Sequence, residues 1–95
     1  MEHDRSDEHN DALARLALAR LGAAVRARRR VAGLSQEGLA ERSDLHRNYV
    51  GGVERGERNV GYLNLLALAR GLGCVPAVLV AEATPDASSE TDAVG

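Results

Sequence analysis

The stretch LSQEGLAERSDLHRNYVGGVERGE, residues 34–57, decides the fold of this chain. Its pattern predicts a helix, a tight turn and a second helix. Ser35 is a suitable N-cap, because its hydroxyl can accept a hydrogen bond from a backbone N–H of the first turn. Asp44 stands at the turn and tolerates the left-handed backbone that is needed there. Gly56 follows the second helix as a C-cap glycine.

The second helix of this stretch, about His46 to Arg55, has an apolar and a polar face. The inward positions of the two helices are Leu39, Ala40, Val50 and Val53, the last two at i, i+3 spacing. The outward face of the second helix consists of Arg47, Asn48, Gly51 and Gly52. A helix with this face can enter the major groove of DNA.

The same stretch, extended to the run ERGERN, resembles the helix-turn-helix of the phage-repressor-like, XRE-type transcription regulators. Within that family it is similar to the controller proteins of restriction–modification systems, which share the run from the turn through ERGxRN. The resemblance covers about residues 18–80 and implies an all-α, five-helix bundle that binds DNA. The chain departs from the family at Gly38, Gly51 and Gly52, where side chains are usual, and the last two glycines remove possible base contacts.

Length and composition describe one small domain with a modest core. The chain has 95 residues and contains neither Phe nor Trp, so its core must consist of Leu, Val and Ala, and burial at a dimer interface would supplement it. The single cysteine, Cys74, cannot form an internal disulfide, which fits a reducing cytoplasm. No apolar run approaches the roughly 18 residues of a membrane span, and no signal peptide is recognised. We therefore expect a cytoplasmic protein without membrane contact.

Charge is distributed unevenly along the chain. Residues 12–81 contain eleven arginines against five acids, a net charge of +6, whereas residues 1–11 and 82–95 each carry −4. A basic domain between acidic tails suits a polyanionic partner such as double-stranded DNA. We expect disordered acidic tails at 1–9 and 84–95 around a DNA-binding and dimerisation domain at 10–83.

The flanking segments predict three further helices. A long first helix runs from Asn10 to about Ala32 and is either continuous through Gly22, as we favour, or kinked there. Its apolar stripe is Leu13, Leu16, Ala17, Leu21, Ala24 and Val25. A fourth helix from Tyr62 to about Leu72 is expected to bury Leu63, Leu66, Ala67 and either Leu65 or Leu72.

Pro76 opens a short fifth helix that is apolar on more than one face. A helix this short cannot bury all of its apolar residues in a small core, so we predict a two-fold homodimer. The expected interface residues are Leu72, Val75, Val78 and Leu79. The alternative is that these residues close the core of the monomer. Cys74 beside them is expected to be a small buried residue rather than a redox sensor.

The candidate DNA contacts divide into base readers and backbone contacts. Arg47 and Asn48 are the expected base readers, since Arg pairs with guanine and Asn with adenine through two hydrogen bonds. Gln36, at the start of its helix, is expected to hold a phosphate through its backbone N–H and side-chain amide. His46 is a weaker phosphate candidate, and Tyr49 suits either DNA contact or the core. By resemblance, three further residues contact the DNA backbone: Arg58, Asn59 and Asn64.

An arginine cluster at the end of the first helix is open to two interpretations. Arg26, Arg28 and Arg30 could contact phosphate or form a solvated helix terminus. By resemblance, Arg29 faces Glu54 and forms a partly buried ion pair that braces the first helix against the third.

The sequence also bears on functions other than that of a controller-type regulator. Within DNA binding, the alternatives are a general XRE-type repressor or the antitoxin of a toxin–antitoxin pair. A protein-interaction module, for example one that binds RNA polymerase, would require a neutral or acidic face, which Arg47 and Arg58 oppose. An enzyme is not expected, because no nucleophile–base pair, metal-ligand spacing or phosphate-binding glycine loop is present. No cofactor is expected, and His3 and His9 lack a third ligand for a metal.

Overall fold

The structure is a computed structural model that describes residues 3–84, with side chains from Asp11 onward. This range folds into α1 (His3–Val31), α2 (Gln36–Ser43), α3 (Arg47–Glu54), α4 (Tyr62–Leu72) and α5 (Pro76–Ala83), with no strand among the described residues. The predicted all-α, five-helix architecture is confirmed. Of the tails that were predicted to be disordered, residues 1–2 and 85–95 lie outside the described range.

The first helix is longer than its sequence indicates, since it begins at His3 rather than Asn10. It continues through Gly22, as we favoured, and Gly22 has a packing role instead of a kink. A Cβ at this position would lie 2.5 Å from the carbonyl oxygens of Val53 and Glu54. The absence of a side chain therefore lets α1 approach the end of α3. The N-terminal part of the predicted apolar stripe is not buried, because Leu13 and Leu16 remain 41% and 44% exposed.

The turn between α2 and α3 follows the local chemistry that the sequence predicts. Ser35 Oγ accepts from the Gly38 N–H at 2.9 Å, which caps α2. Asp44 ends that helix with a φ of 57°. After α3, the Gly56 N–H donates to the Val53 carbonyl at 3.0 Å and the next N–H to the Gly52 carbonyl at 2.9 Å. This pair of bonds is a Schellman motif, and it confirms the predicted C-terminus of α3.

The core is small and consists of aliphatic residues. The side chains of Val25, Leu39, Val50, Leu68 and Leu79 are all fully buried. Leu79 was predicted at a dimer interface, and that prediction is wrong in the described monomer, because the core already encloses its side chain.

The predicted inward face of α4 is also wrong at Leu63, near the start of the helix. Leu63 is 76% exposed, whereas Leu68 and Ala69 are buried. Gly71 marks a close contact of α4 with α2, because a Cβ there would overlap Ser43 Oγ and lie 3.0 Å from Leu39 Cδ1. The helix is therefore buried toward its C-terminal end, and Leu63 at the other end is exposed.

No single described helix has both the length and the apolar composition of a membrane span. Only α4 and α5 taken together have that length and composition, and a bend of 108° separates the two helices.

Candidate nucleic-acid interface

The first turn of α3 presents its polar side chains to solvent. Arg47 has 59% of its side chain exposed, and Asn48 beside it is exposed as well. His46, predicted as a phosphate contact, is the N-cap, because its Nδ1 accepts from the Asn48 N–H at 3.0 Å. The cap fixes where α3 begins and thus the position of both candidate base readers.

Arg47 has one charged neighbour among the described residues. Its Nη1 lies 3.9 Å from Glu37 Oε1, and both side chains are largely exposed. An exposed pair at this distance contributes little, so the guanidinium is free to leave it for another partner.

The other end of α3 is held by a buried carboxylate. The Glu54 side chain is 0% exposed and accepts from Arg29 Nε at 2.6 Å and Arg29 Nη2 at 3.0 Å. Gln36 Nε2 donates to it at 3.0 Å, and Arg26 Nε at 3.3 Å. Burial acts to raise the pKa of Glu54, but the hydrogen bonds from Arg29, Gln36 and Arg26 together lower it below its ordinary value. The predicted brace between Arg29 and Glu54 is confirmed, and it includes α2.

The Gln36 side chain takes part in this brace. Its side-chain amide was predicted to hold a phosphate, but it donates to Glu54 and so connects α2 with α3. The backbone N–H of Gln36 remains at the N-terminus of α2, where helix donors lack intrahelical acceptors. A phosphate contact through this backbone N–H, or through the second N–H of the side-chain amide, stays a prediction.

The two helical glycines of α3 do not form an open surface, contrary to the sequence-based expectation. Both Gly51 and Gly52 are buried. A Cβ on Gly51 would lie 3.1 Å from Arg55 Nη1, and one on Gly52 would lie 3.0 Å from Arg58 Cγ. Arginine side chains from the end of α3 and the following loop therefore lie across the glycines. Arg55 was not among the predicted contacts, because its own position at a helix terminus gives no sign of where its side chain lies.

The remaining predicted contacts lie around the loop that follows α3. Tyr49 is half-buried against the core, and the Arg58 guanidinium lies 5.9 Å from its ring centroid, within range of a cation–π contact. Arg58 and Asn59 are exposed in the loop, and Asn64 is half-buried in α4. The described structure thus brings Gln36 and Arg58 to α3, beside Gly51 and Gly52, whereas Asn59 lines an apolar cavity with residues of α1 and α5.

A family described as helix-turn-helix, HTH_3, matches residues 25–79, from the second half of α1 into α5. This chain belongs to that family of XRE-type helix-turn-helix regulators. The match includes α2, the turn and α3, where the predicted capping and brace are found.

Several relatives are control proteins. Control protein C.SmaI of Serratia marcescens is 54% identical over 56 residues, which are 58% of this chain and 67% of that protein. The chain spans about half of two further control proteins that it matches, 53% and 54% of their lengths.

Solved structures of restriction–modification controller proteins have the same fold. C.AhdI from Aeromonas hydrophila has 52% identity and a TM-score of 0.64, covering 65% of this chain and 94% of that chain. C.Esp1396I, solved as a tetramer with its natural 35 base-pair operator, has 32% identity and a TM-score of 0.63, covering 66% and 83%.

In this XRE-type chain the arginine cluster of α1 has partners within the protein. Arg28 donates to Glu82 of α5, from Nε to Oε1 at 3.1 Å and from Nη2 to Oε2 at 2.7 Å. The hydrogen bond from Arg28 lowers the pKa of Glu82. Arg26 donates to Glu54 of α3. Arg26 and Arg28, two of the three arginines that could contact phosphate, therefore bind to other helices. Arg30 is exposed.

The predicted dimer face of the regulator is partly accessible. Val75 is 61% exposed, and Leu72 and Val78 are half-buried. Cys74 is half-buried and packs against the core, as a small apolar residue would. No group of three or more potential metal ligands occurs in the described part of the chain, and the side chains of His3 and His9 lie outside it.

Proposed function

We propose that this chain is a sequence-specific transcriptional regulator that binds operator DNA as a homodimer and is not an enzyme. The observation that carries the proposal is the exposed pair Arg47 and Asn48 at the start of a helix that is capped at this end and braced at the other. Side chains that read bases must be exposed, while the helix that carries them must be held firmly. The cap at His46 and the brace at Glu54 supply that support at the two ends of α3.

The mechanism that follows is major-groove reading by α3. Arg47 would donate to O6 and N7 of guanine, and Asn48 would pair with N6 and N7 of adenine. The backbone contacts would come from the Gln36 N–H, His46, Arg58, Asn59 and Asn64. Gly51 and Gly52 offer no side chains to bases, so the shape and deformability of the operator would contribute to specificity.

A homodimer would place two copies of α3 about one DNA turn, ~34 Å, apart on a palindromic site. Support comes from the exposed Val75 with Leu72 and Val78 around it. C.Esp1396I occupies its operator as a tetramer, an assembly that two such dimers would produce. Leu79 has no part in this interface.

The regulated genes are inferred from the relatives, which are named control proteins. We infer that the chain regulates its own promoter and that of a neighbouring restriction endonuclease. It would do so in the cytoplasm, where the DNA is, with RNA polymerase as a candidate second partner. Its occupancy would then follow its own concentration.

The test is binding of the full chain to labelled DNA from immediately upstream of its own gene. We expect saturable binding that prefers the palindrome to a scrambled duplex of equal length and composition. We also expect the affinity to fall steeply with salt, as phosphate contacts require. Equal affinity for both duplexes, or no binding, would refute the proposal and favour an interaction module that uses the same fold.

A further inference from the structure

Gly51 forms a gap on the outer side of α3 in which the Arg55 side chain lies. Gly51 is four residues after Arg47 and three after Asn48, so all three share one side of the helix. A Cβ at Gly51 would meet Arg55 Nη1 at 3.1 Å and Gln36 Oε1 at 3.4 Å. The guanidinium of Arg55 therefore lies beside Gln36, on the side of α3 that carries the base readers.

The position of Arg55 is also fixed by an acid of the same chain. Its Nε donates to Glu57 Oε2 at 3.0 Å, and the two side chains are 55% and 57% exposed. A solvent-exposed pair of this kind is weak and readily exchanged. Glu57 is also the one acid between α3 and α4, in a loop that otherwise carries Arg58 and Asn59.

We propose that Arg55 is a further phosphate-contacting residue. The missing side chain at Gly51 leaves room for its guanidinium on the DNA-facing side of α3, and Glu57 binds this guanidinium until DNA displaces the carboxylate. The inference rests on the proposed DNA binding and assigns a role at that same site. DNA carries one negative charge per about 1.7 Å of its axis, so it offers Arg55 a stronger field than one carboxylate. Glu57, near the same backbone, would be repelled as the guanidinium changes partner.

Four consequences distinguish this role from a simple surface ion pair. Loss of Arg55 should remove one phosphate contact, and loss of Glu57 should tighten DNA binding. The benefit of removing Glu57 should depend on Arg55 being present. Gly51→Ala should weaken binding by displacing the guanidinium, although alanine is the better helix former.

The experiment measures affinity for the upstream duplex over a range of salt concentrations. It compares wild type, Arg55→Gln, Glu57→Gln and the double variant, with Arg70→Gln of α4 as a matched loss of charge. We expect Arg55→Gln to weaken binding about tenfold at low salt and to reduce the slope of log K against log salt by about 0.9, one contact. Glu57→Gln should strengthen binding several-fold in the wild-type background and hardly at all in the Arg55→Gln background.

The outcomes separate this inference from the proposed function. If wild type binds the duplex specifically and Arg55→Gln changes the slope no more than Arg70→Gln does, the role of Arg55 is refuted and the regulator remains. If Glu57→Gln strengthens binding equally in both backgrounds, the carboxylate acts by general repulsion and the exchange is refuted. If wild type shows no specific binding, the proposed function itself fails.

Discussion

The guanidinium of Arg29 donates to both carboxylate oxygens of Glu54, from Nε at 2.6 Å and from Nη2 at 3.0 Å. Arg29 is only 12% exposed in its side chain, and Glu54 is 0% exposed. The pair joins the last residue of α3 to α1, so it holds α3 at a fixed angle to α1. This ion pair therefore both stabilises the domain and positions α3 in the candidate DNA interface.

The first prediction concerns the charge of Glu54. Replacing it with Gln keeps the shape but leaves Arg29 buried without a counter-charge, which costs about 3 kcal/mol or more. We expect the free energy of unfolding in urea to fall by that amount at pH 7. Glu82→Gln, which breaks the exposed pair with Arg28, is the control and should change it little. A loss below about 1 kcal/mol for Glu54→Gln would contradict the role of the brace.

The second prediction concerns pH. Because the hydrogen bonds lower the pKa of Glu54 in the folded state below its ordinary value of 4.5, the folded protein binds this proton less readily than the unfolded chain. The stability that Glu54 contributes is therefore present above about pH 4.5 and is lost as pH falls through the lower folded pKa. The stability gap between wild type and Glu54→Gln should be constant near neutrality and shrink below pH 4.5. A gap that stayed constant in urea titrations down to pH 3 would contradict this.

The third prediction concerns the close approach at Gly22. Gly22→Ala places a methyl group 2.5 Å from two carbonyl oxygens of α3, so the helices must separate. We expect a loss of about 1–3 kcal/mol in the free energy of unfolding, together with weaker DNA binding. Gly61→Ser is the control, because nothing lies within 4 Å of a Cβ there and Ser is a good N-cap for α4. Equal melting temperatures for Gly22→Ala and wild type would show that α1 and α3 are not so closely packed.

The fourth prediction concerns the dimer. Val75→Ser removes exposed apolar surface and should weaken self-association about tenfold in sedimentation equilibrium while leaving the monomer folded. Leu13→Ser removes comparable exposed surface from α1 and should have no such effect. The assigned interface would be wrong if Leu13→Ser dissociated the protein and Val75→Ser did not.

Features governed by local chemistry could be predicted from the sequence. Ser35 as a cap, Asp44 in the left-handed region and Gly56 in a Schellman motif each depend on neighbours within a few residues. The pairing of Arg29 with Glu54 was available only through family resemblance, since the two residues are 25 positions apart.

Features governed by packing could not be predicted in this way. Helix α4 is apolar almost all round, so periodicity did not distinguish exposed Leu63 from buried Leu68. The buried end of the helix is the one at which Gly71 contacts α2. Similarly, the sequence predicted an open surface at Gly51. The flexible side chain of Arg55 covers it, and the position of a side chain at the end of a helix could not be predicted from periodicity.

The most direct test of the account is the response of operator binding to Arg47→Ala and Asn48→Ala. Each variant is measured on the upstream duplex and on the scrambled duplex, beside Arg70→Ala as a control for charge. We expect each variant to lose about 1–3 kcal/mol of binding free energy on the palindrome and much less on the scrambled duplex, with the fold unchanged by circular dichroism. Equal losses on both duplexes, or losses no larger than that of Arg70→Ala, would contradict base reading by α3.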